Sequence, residues 1–187
     1  MRHLLLALAT LLVAPTLALA APAPAWTVDP GSSVSFGSSF SGQAFSGHFT
    51  RWAAAIRFYP KNLAGSSVTA SVDVASAVTG DADRDGSLPT PDFFSAAKFP
   101  RATFTATTFK DLGGGRYQAI GQLSLRGVAK PLTLPFTLAI TGAQAKMSAT
   151  VALNRLAFGV GQGQCSATDS IPAAVSVSVN LTAHRAK

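Results

Sequence analysis

From Tyr117 to Ile140 an apolar residue returns at every second position, and that period decides what the chain can become. Tyr117, Ala119, Gly121, Leu123 and Leu125 share one parity, interleaved with Gln118, Gln122, Ser124 and Arg126; Ile120 alone is out of step. The pattern breaks at Gly127-Val-Ala-Lys-Pro131 and resumes with Leu132, Leu134, Phe136, Leu138 and Ile140. A period of two broken by a short Gly- and Pro-containing link reads as two antiparallel strands of a hairpin. Successive side chains on a strand point to opposite sides, so each strand has one apolar and one polar face. What the apolar faces enclose, a solid core or a hollow, is the functional question.

The same period recurs along most of the chain. After Trp26-Thr-Val, a turn is expected at Asp29-Pro30-Gly31. Val34 and Phe36 alternate with Ser33 and Ser35; Phe45, Gly47 and Phe49 follow, then Ala54, Ile56 and Phe58. Val68, Ala70, Val72 and Val74 make the clearest strand of the first half, and Ala102, Phe104 and Ala106 begin another. Met147 to Leu153 and Val175 to Leu181 supply the last two, which brings the count to about eight. From Gly80 to Pro100 the alternation stops. Gly80 to Gly86 reads as a polar loop. The one short helix is expected over 91–98, with Pro91 at its first position and Pro100 forbidding continuation. So long a connection suits a binding loop, and Phe93 and Phe94 are expected to pin it over the core. Pro135 has no N–H to give a ladder, which predicts a bulge or an end of pairing there. Eight antiparallel strands joined mostly by short turns predict an all-β fold, either an up-and-down barrel or a sandwich. An eight-stranded barrel is just wide enough inside for its own side chains or for one slender ligand.

The chain opens Met-Arg-His, runs apolar from Leu4 to Ala14 and reaches Ala18-Leu19-Ala20. A positive start, a short apolar run and a small-x-small site predict a secretory signal peptide over 1–20, cleaved after Ala20, leaving one domain over 21–187. The run, interrupted by Pro15 and Thr16, is too short for a permanent membrane span. One cysteine, Cys165, excludes an intrachain disulfide and is expected to be a buried thiol. Glu is absent, and eight Asp stand against fifteen scattered Lys and Arg. No basic run is dense enough to track a phosphate backbone, which argues against nucleic acid. A basic surface approaching anionic lipid head groups suits an exported protein better.

Catalytic constellations do not assemble. His3, His48 and His184 are far apart in sequence, and no His/Cys/Asp grouping has metal-ligand spacing. Asp81-Asp83-Asp85 resembles part of a calcium loop, but Arg84 lies inside it and no Glu closes it, so a solvated loop is expected. No serine sits in a nucleophile-elbow context, and neither Gly113-Gly114-Gly115 nor the run from Gly159 opens a helix as a phosphate cradle does. The residues argue against an enzyme and against a catalytic cofactor, which leaves binding. Several inward candidates are small (Ala54, Ala70, Ala102, Ala119, Gly121, Ala149) and would leave volume unfilled in a barrel.

Gly121-Gln-Leu-Ser-Leu-Arg-Gly-Val-Ala-Lys-Pro-Leu-Thr-Leu134 resembles the hairpin signature of the YceI-like family. Trp26-Thr-Val-Asp-Pro-Gly-Ser-Ser-Val-Ser-Phe36 resembles that family's opening. Gly80-Asp-Ala-Asp-Arg-Asp-Gly-Ser-Leu88, Pro91-Asp-Phe-Phe94 and Phe99-Pro-Arg-Ala-Thr-Phe104 resemble its middle, and Asn154-Arg-Leu-Ala-Phe-Gly-Val-Gly-Gln-Gly163 its late motif. The resemblance covers essentially the whole mature chain in order. It implies an eight-stranded antiparallel lipocalin-like β-barrel, exported to the bacterial periplasm, that sequesters a polyisoprenoid chain such as a quinone tail, without catalysis. Ser87 stands where many members carry His, Ala157 where Asp is common, and Cys165 where an aromatic residue is frequent.

On this reading an isoprenoid lipid or quinone is the bound ligand. The lining is expected to comprise Phe36, Ile56, Phe58, Val72, Phe104 and Leu123, together with Leu125, Leu134, Phe136, Val151 and Val177. Phe93 and Phe94 are expected over one end. A membrane redox protein is a candidate partner, and a homodimer is compatible with the sequence. Two other readings share the strand pattern: a small integral outer-membrane β-barrel, and a β-sandwich stress or adhesion module with a dry core.

Overall fold

The computed structural model describes residues 23–186. The expected signal peptide and its cleavage point after Ala20 lie outside the described residues. Alternation becomes strand throughout: β1 (Ala25–Val28), β2 (Ser33–Phe40), β3 (Gln43–Phe49), β4 (Trp52–Arg57), β5 (Ser67–Asp73), β6 (Ala77–Val78), β7 (Arg101–Gly113), β8 (Arg116–Leu125), β9 (Val128–Thr141), β10 (Gln144–Asn154) and β11 (Ala174–Arg185). One α-helix, α1 (Ala82–Ser87), stands between β6 and β7.

These eleven strands make eight staves, because three staves are interrupted. β1 and β2 form one, broken by the turn at Asp29–Ser32; β3 and β4 form the next, and β5 and β6 the third, broken by a 3-10 turn at Val74–Ser76. Pairing shows it. β1 pairs β4 through Trp26 and Ile56, and β2 pairs β3 through Phe36 and Gly47. β4 pairs β5 through Ala54 and Ala70, and β3 pairs β6 through His48 and Val78. The sheet then runs β5-β7-β8-β9-β10-β11, and β11 closes onto both β1 (Arg185 with Trp26) and β2 (Val177 with Phe36), every pair antiparallel. The result is a closed up-and-down barrel. One sheet closed on itself leaves no second layer, which excludes the sandwich. Thr69, Thr105, Gln122, Ser148, Thr150 and Ser176 face outward and are exposed, the reverse of the apolar belt that a membrane barrel turns to lipid.

Pro135 marks an end of pairing, as its missing N–H requires. β9 pairs with β8 along its length but with β10 only from Phe136 to Thr141. Above that point the 3-10 turn Arg155–Phe158 fills the seam: Phe158 and Val160 pack there against Leu123, Leu132 and Leu153. Gly121 lies opposite a bulge in β7, where any Cβ would overlap the Thr105 carbonyl oxygen.

The helix is not where the sequence pattern put it. Residues 91–98 form turns, with Ser95 at φ 51° in the left-handed region. The helix occupies 82–87 instead, inside the stretch read as loop. Asp81 caps it, its carboxylate accepting from the Arg84 N–H at 2.9 Å. Asp83 and Asp85 occupy the first turn, where the helix dipole favours acids.

Candidate functional site

The inward faces enclose a bore with a closed floor and an open mouth. The floor is aromatic. Trp26 donates through Nε1 to the Phe58 carbonyl at 2.9 Å, and the Phe58 ring meets Phe109, Tyr117 and Phe136 edge-on at 5.4, 5.3 and 5.8 Å. Each buried ring contributes about 1.5–3 kcal/mol of burial, so this end is the best-anchored part of the fold. Burial raises the Tyr117 hydroxyl above its ordinary pKa, with Asp111 adding to the effect.

Above the floor lies a lower chamber of about 210 Å³, its wall built from alternate residues of the staves. An upper chamber of about 520 Å³ continues toward the mouth. Val34, Val72, Ala102, Leu123, Leu153 and Val177, from six different strands, line both chambers and form the waist between them. The two chambers therefore lie in line inside the barrel and meet at this one ring of side chains. The volume exists because Ala54, Ala70, Ala102 and Ala119 bring only a methyl group to the wall. Gly47 gives the Phe36 ring its place against the wall: the ring occupies the position a Cβ at 47 would take. For scale, a cavity of about 150 Å³ cut into a protein core admits benzene, so the lower chamber alone takes a chain of small branched hydrocarbon units.

All thirteen residues expected in the lining face this bore. Ile56, Phe58, Phe104, Leu134, Phe136 and Val151 line the lower chamber; Phe36, Phe93, Phe94 and Leu125 line the upper; Val72, Leu123 and Val177 belong to both. Phe93 and Phe94 also pin their loop, packing against the clusters around Phe36 and around Leu123. Sequence reasoning missed Trp26, Trp52 and Phe109 below, and Phe45, Phe49 and Phe158 above.

Apart from Arg57, Ser67 and Thr103 in the lower wall, the polar groups gather at the mouth. Arg84 lies 4.2 Å over the Phe45 ring and donates to Thr79 Oγ1 at 3.2 Å. The Thr79 hydroxyl, donating to Asp85, holds that carboxyl below the usual carboxylate range. Arg155 is buried, and its five N–H groups meet the carbonyls of Pro172, Val160, Gly161, Ala167 and Ile171. Burial lowers its pKa from the ordinary value. The guanidinium thus shapes the 159–173 connection into a rim. A second tie holds the rim to the 80–100 loop: the Asp92 carbonyl accepts from the N–H groups of Gly161 and Gln162, both at 2.8 Å. Cys165, expected to be buried, is half-exposed at this rim, because the 3-10 turn Gly163–Ser166 that carries it lies on the surface. Ser87 lines the same chamber, and Ala157 packs beside Phe158. Among the described residues no three His, Cys, Asp or Glu side chains converge as metal ligands do.

Comparison with known proteins gives a match over residues 26–183 to the family described as YceI-like domain. A UPF0312 protein of Vibrio parahaemolyticus is 35% identical over 128 residues, 66% of this chain and 68% of its own. BcnA of Burkholderia cenocepacia superposes with a TM-score of 0.80 at 30% identity, covering 83% of this chain and 99% of that one. A domain from Saccharophagus degradans, described as polyisoprenoid-binding and implicated in plant cell wall breakdown, superposes with a TM-score of 0.69, covering 87% and 99%. Its identity of 17% makes that a likeness of fold.

Proposed function

The chain belongs to the YceI-like family, a fold of binding proteins rather than of enzymes, and on that premise we propose that it carries one polyisoprenoid chain threaded from the mouth to the aromatic floor. The observation that carries this reading is the pair of chambers in line inside one barrel, sharing a waist, with an almost wholly aliphatic and aromatic wall below it and the charged groups Asp81, Asp83, Arg84 and Arg155 gathered above it. An isoprenoid tail is insoluble in water, and each buried CH₂-sized group contributes about 0.8 kcal/mol, hence roughly 4 kcal/mol per five-carbon unit. Such a wall needs no directional contact to hold the tail. The description of the Saccharophagus domain as polyisoprenoid-binding supports the ligand class.

The tail belongs to a quinone or a polyprenyl lipid, and the protein works in the periplasm after cleavage at Ala20, where a bound quinone would be exchanged with a membrane redox protein. N-terminal sequencing of secreted material should begin at Ala21; material beginning at Met1 contradicts export by this route. Trp26 and Trp52 both line the lower chamber, which supplies the direct test of ligand class. Titrating delipidated protein with a long-chain quinone should quench tryptophan fluorescence with saturation at one ligand per protein, and a polyprenol should compete. A linear, unsaturable response to both would remove the proposal.

A further inference from the structure

Charge is not spread evenly along the barrel axis. Asp73, Asp81, Asp83, Asp85, Asp92 and Asp169, six of the eight Asp, lie at the mouth or on the connections around it. The turns and strand ends around the floor carry Arg57, Lys61, Lys110, Arg116, Lys146 and Arg185, all exposed. Among the described residues the ion pairs join Arg51 to Asp73, Arg84 to Asp81 and His184 to Asp29, so none of these six cations is in one. Only Asp111 and Asp29 offset them, and Asp29 is engaged by His184. Six cations against two acids leave about +4 at the closed end.

Two large apolar side chains stand out of the fold among these charges. Leu112, 45% exposed, tips the β7–β8 hairpin between Lys110 and Arg116; Tyr59, 37% exposed, sits on the β4–β5 connection between Arg57 and Lys61. Both loops spring from one floor, because the Phe58 ring next to Tyr59 packs on Phe109 and Tyr117, at the base of that hairpin. An aliphatic tip, a Tyr and flanking Lys and Arg are what a bilayer interface takes: the ring sits at head-group depth and the cations meet the anionic surface. A nucleic-acid backbone would use the cations and leave the Leu tip in water.

We propose that the closed end of the barrel docks on an anionic phospholipid bilayer, with Leu112 and Tyr59 entering the head-group layer and the surrounding Lys and Arg held over it. Docked this way, the molecule turns its mouth away from the bilayer toward solution. The proposal does not depend on what the bore holds.

Co-sedimentation of the purified protein with vesicles of phosphatidylglycerol and phosphatidylcholine, against phosphatidylcholine alone, tests it. Binding should be confined to the anionic vesicles and vanish in about 1 M salt, where the Debye length is about 3 Å. Lys110→Gln with Arg116→Gln should weaken it roughly twenty-five-fold, at about fivefold per charge. Leu112→Ser should weaken it at constant charge, and the mouth-side pair Lys98→Gln with Lys130→Gln should leave it unchanged. Equal loss from the two charge pairs overturns the proposal, as does equal binding to neutral vesicles. Binding to polyaspartate without binding to anionic vesicles also overturns it and makes this end a site for an acidic protein.

Discussion

Ala70→Phe separates a hollow from a plug. Ala70 sits on β5 opposite Ala54 and Phe104, with its methyl group on the lower chamber. The chamber of about 210 Å³ has room for a phenyl ring, since about 150 Å³ admits benzene. Burying the new ring should then contribute up to about 1.5–3 kcal/mol. In a filled core the same ring would overpack, at a cost of about 1–3 kcal/mol. A domain of this size shifts in Tm by about 2–4 °C per kcal/mol. Calorimetry of delipidated protein should therefore show Tm unchanged or raised by several degrees, where a plug would lose about 2–12 °C. The ring should also displace about one five-carbon unit of ligand, weakening a full-length tail by roughly 4 kcal/mol, about a thousandfold, while a shortened tail keeps its affinity. A fall in Tm with full-length binding intact would refute the hollow-bore reasoning.

Gly121→Ala should cost about 1–3 kcal/mol or more in urea unfolding, because the methyl group meets the Thr105 carbonyl in the wall rather than a flexible side chain; a loss below about 1 kcal/mol would contradict that fit. Arg155→Lys should destabilise by about 3 kcal/mol or more and expose amides of 159–173 to hydrogen exchange, since one ammonium cannot meet five carbonyls set for a fork; full rescue by Lys would leave charge alone as the cause. The Arg51 side chain, hydrogen-bonded to Asp73 at 2.8 Å, holds that carboxyl below the usual range. A depressed folded-state pKa contributes stability above the unfolded value of about 3.9 and loses it as pH falls through the folded one. Wild type should exceed Asp73→Asn in stability at neutral pH and converge with it in acid; a gap that persists in acid would exclude the ion pair as its source.

The barrel was legible because every stave buries one face, so period two returns in each strand between Val34 and Leu181 and lapses only in the connections. The interruptions at Thr50–Arg51 and Val74–Ser76 were not read as breaks within a stave, although the inward parity changes at each, from Phe49 to Trp52 and from Val74 to Ala77, because no Gly or Pro marks either one. Pro135 announced the end of the β9–β10 ladder through chemistry that no context alters. The helix was misplaced because Pro91 and Pro100 bracket a plausible segment whose Ser95 backbone turns left-handed, whereas Asp81-Ala-Asp-Arg-Asp reads as a loop until Asp81 is seen capping Arg84. The lining was legible wherever alternation ran cleanly. Phe158 was missed because it sits on a 3-10 turn with no period, and Arg155 because its partners are backbone carbonyls that no side-chain pattern reveals. Whether the apolar faces enclose space is written in the size of Ala54, Ala70, Ala102 and Ala119 more than in the alternation itself.

The central claim is that the bore is hollow and holds a lipid, and native mass spectrometry of protein extracted without detergent from its own cells tests it most directly. The expected spectrum shows the mature chain carrying one additional mass that organic solvent releases as an isoprenoid lipid. A spectrum of the bare chain alone, from protein that then takes up no added long-chain quinone or polyprenol, would contradict the claim.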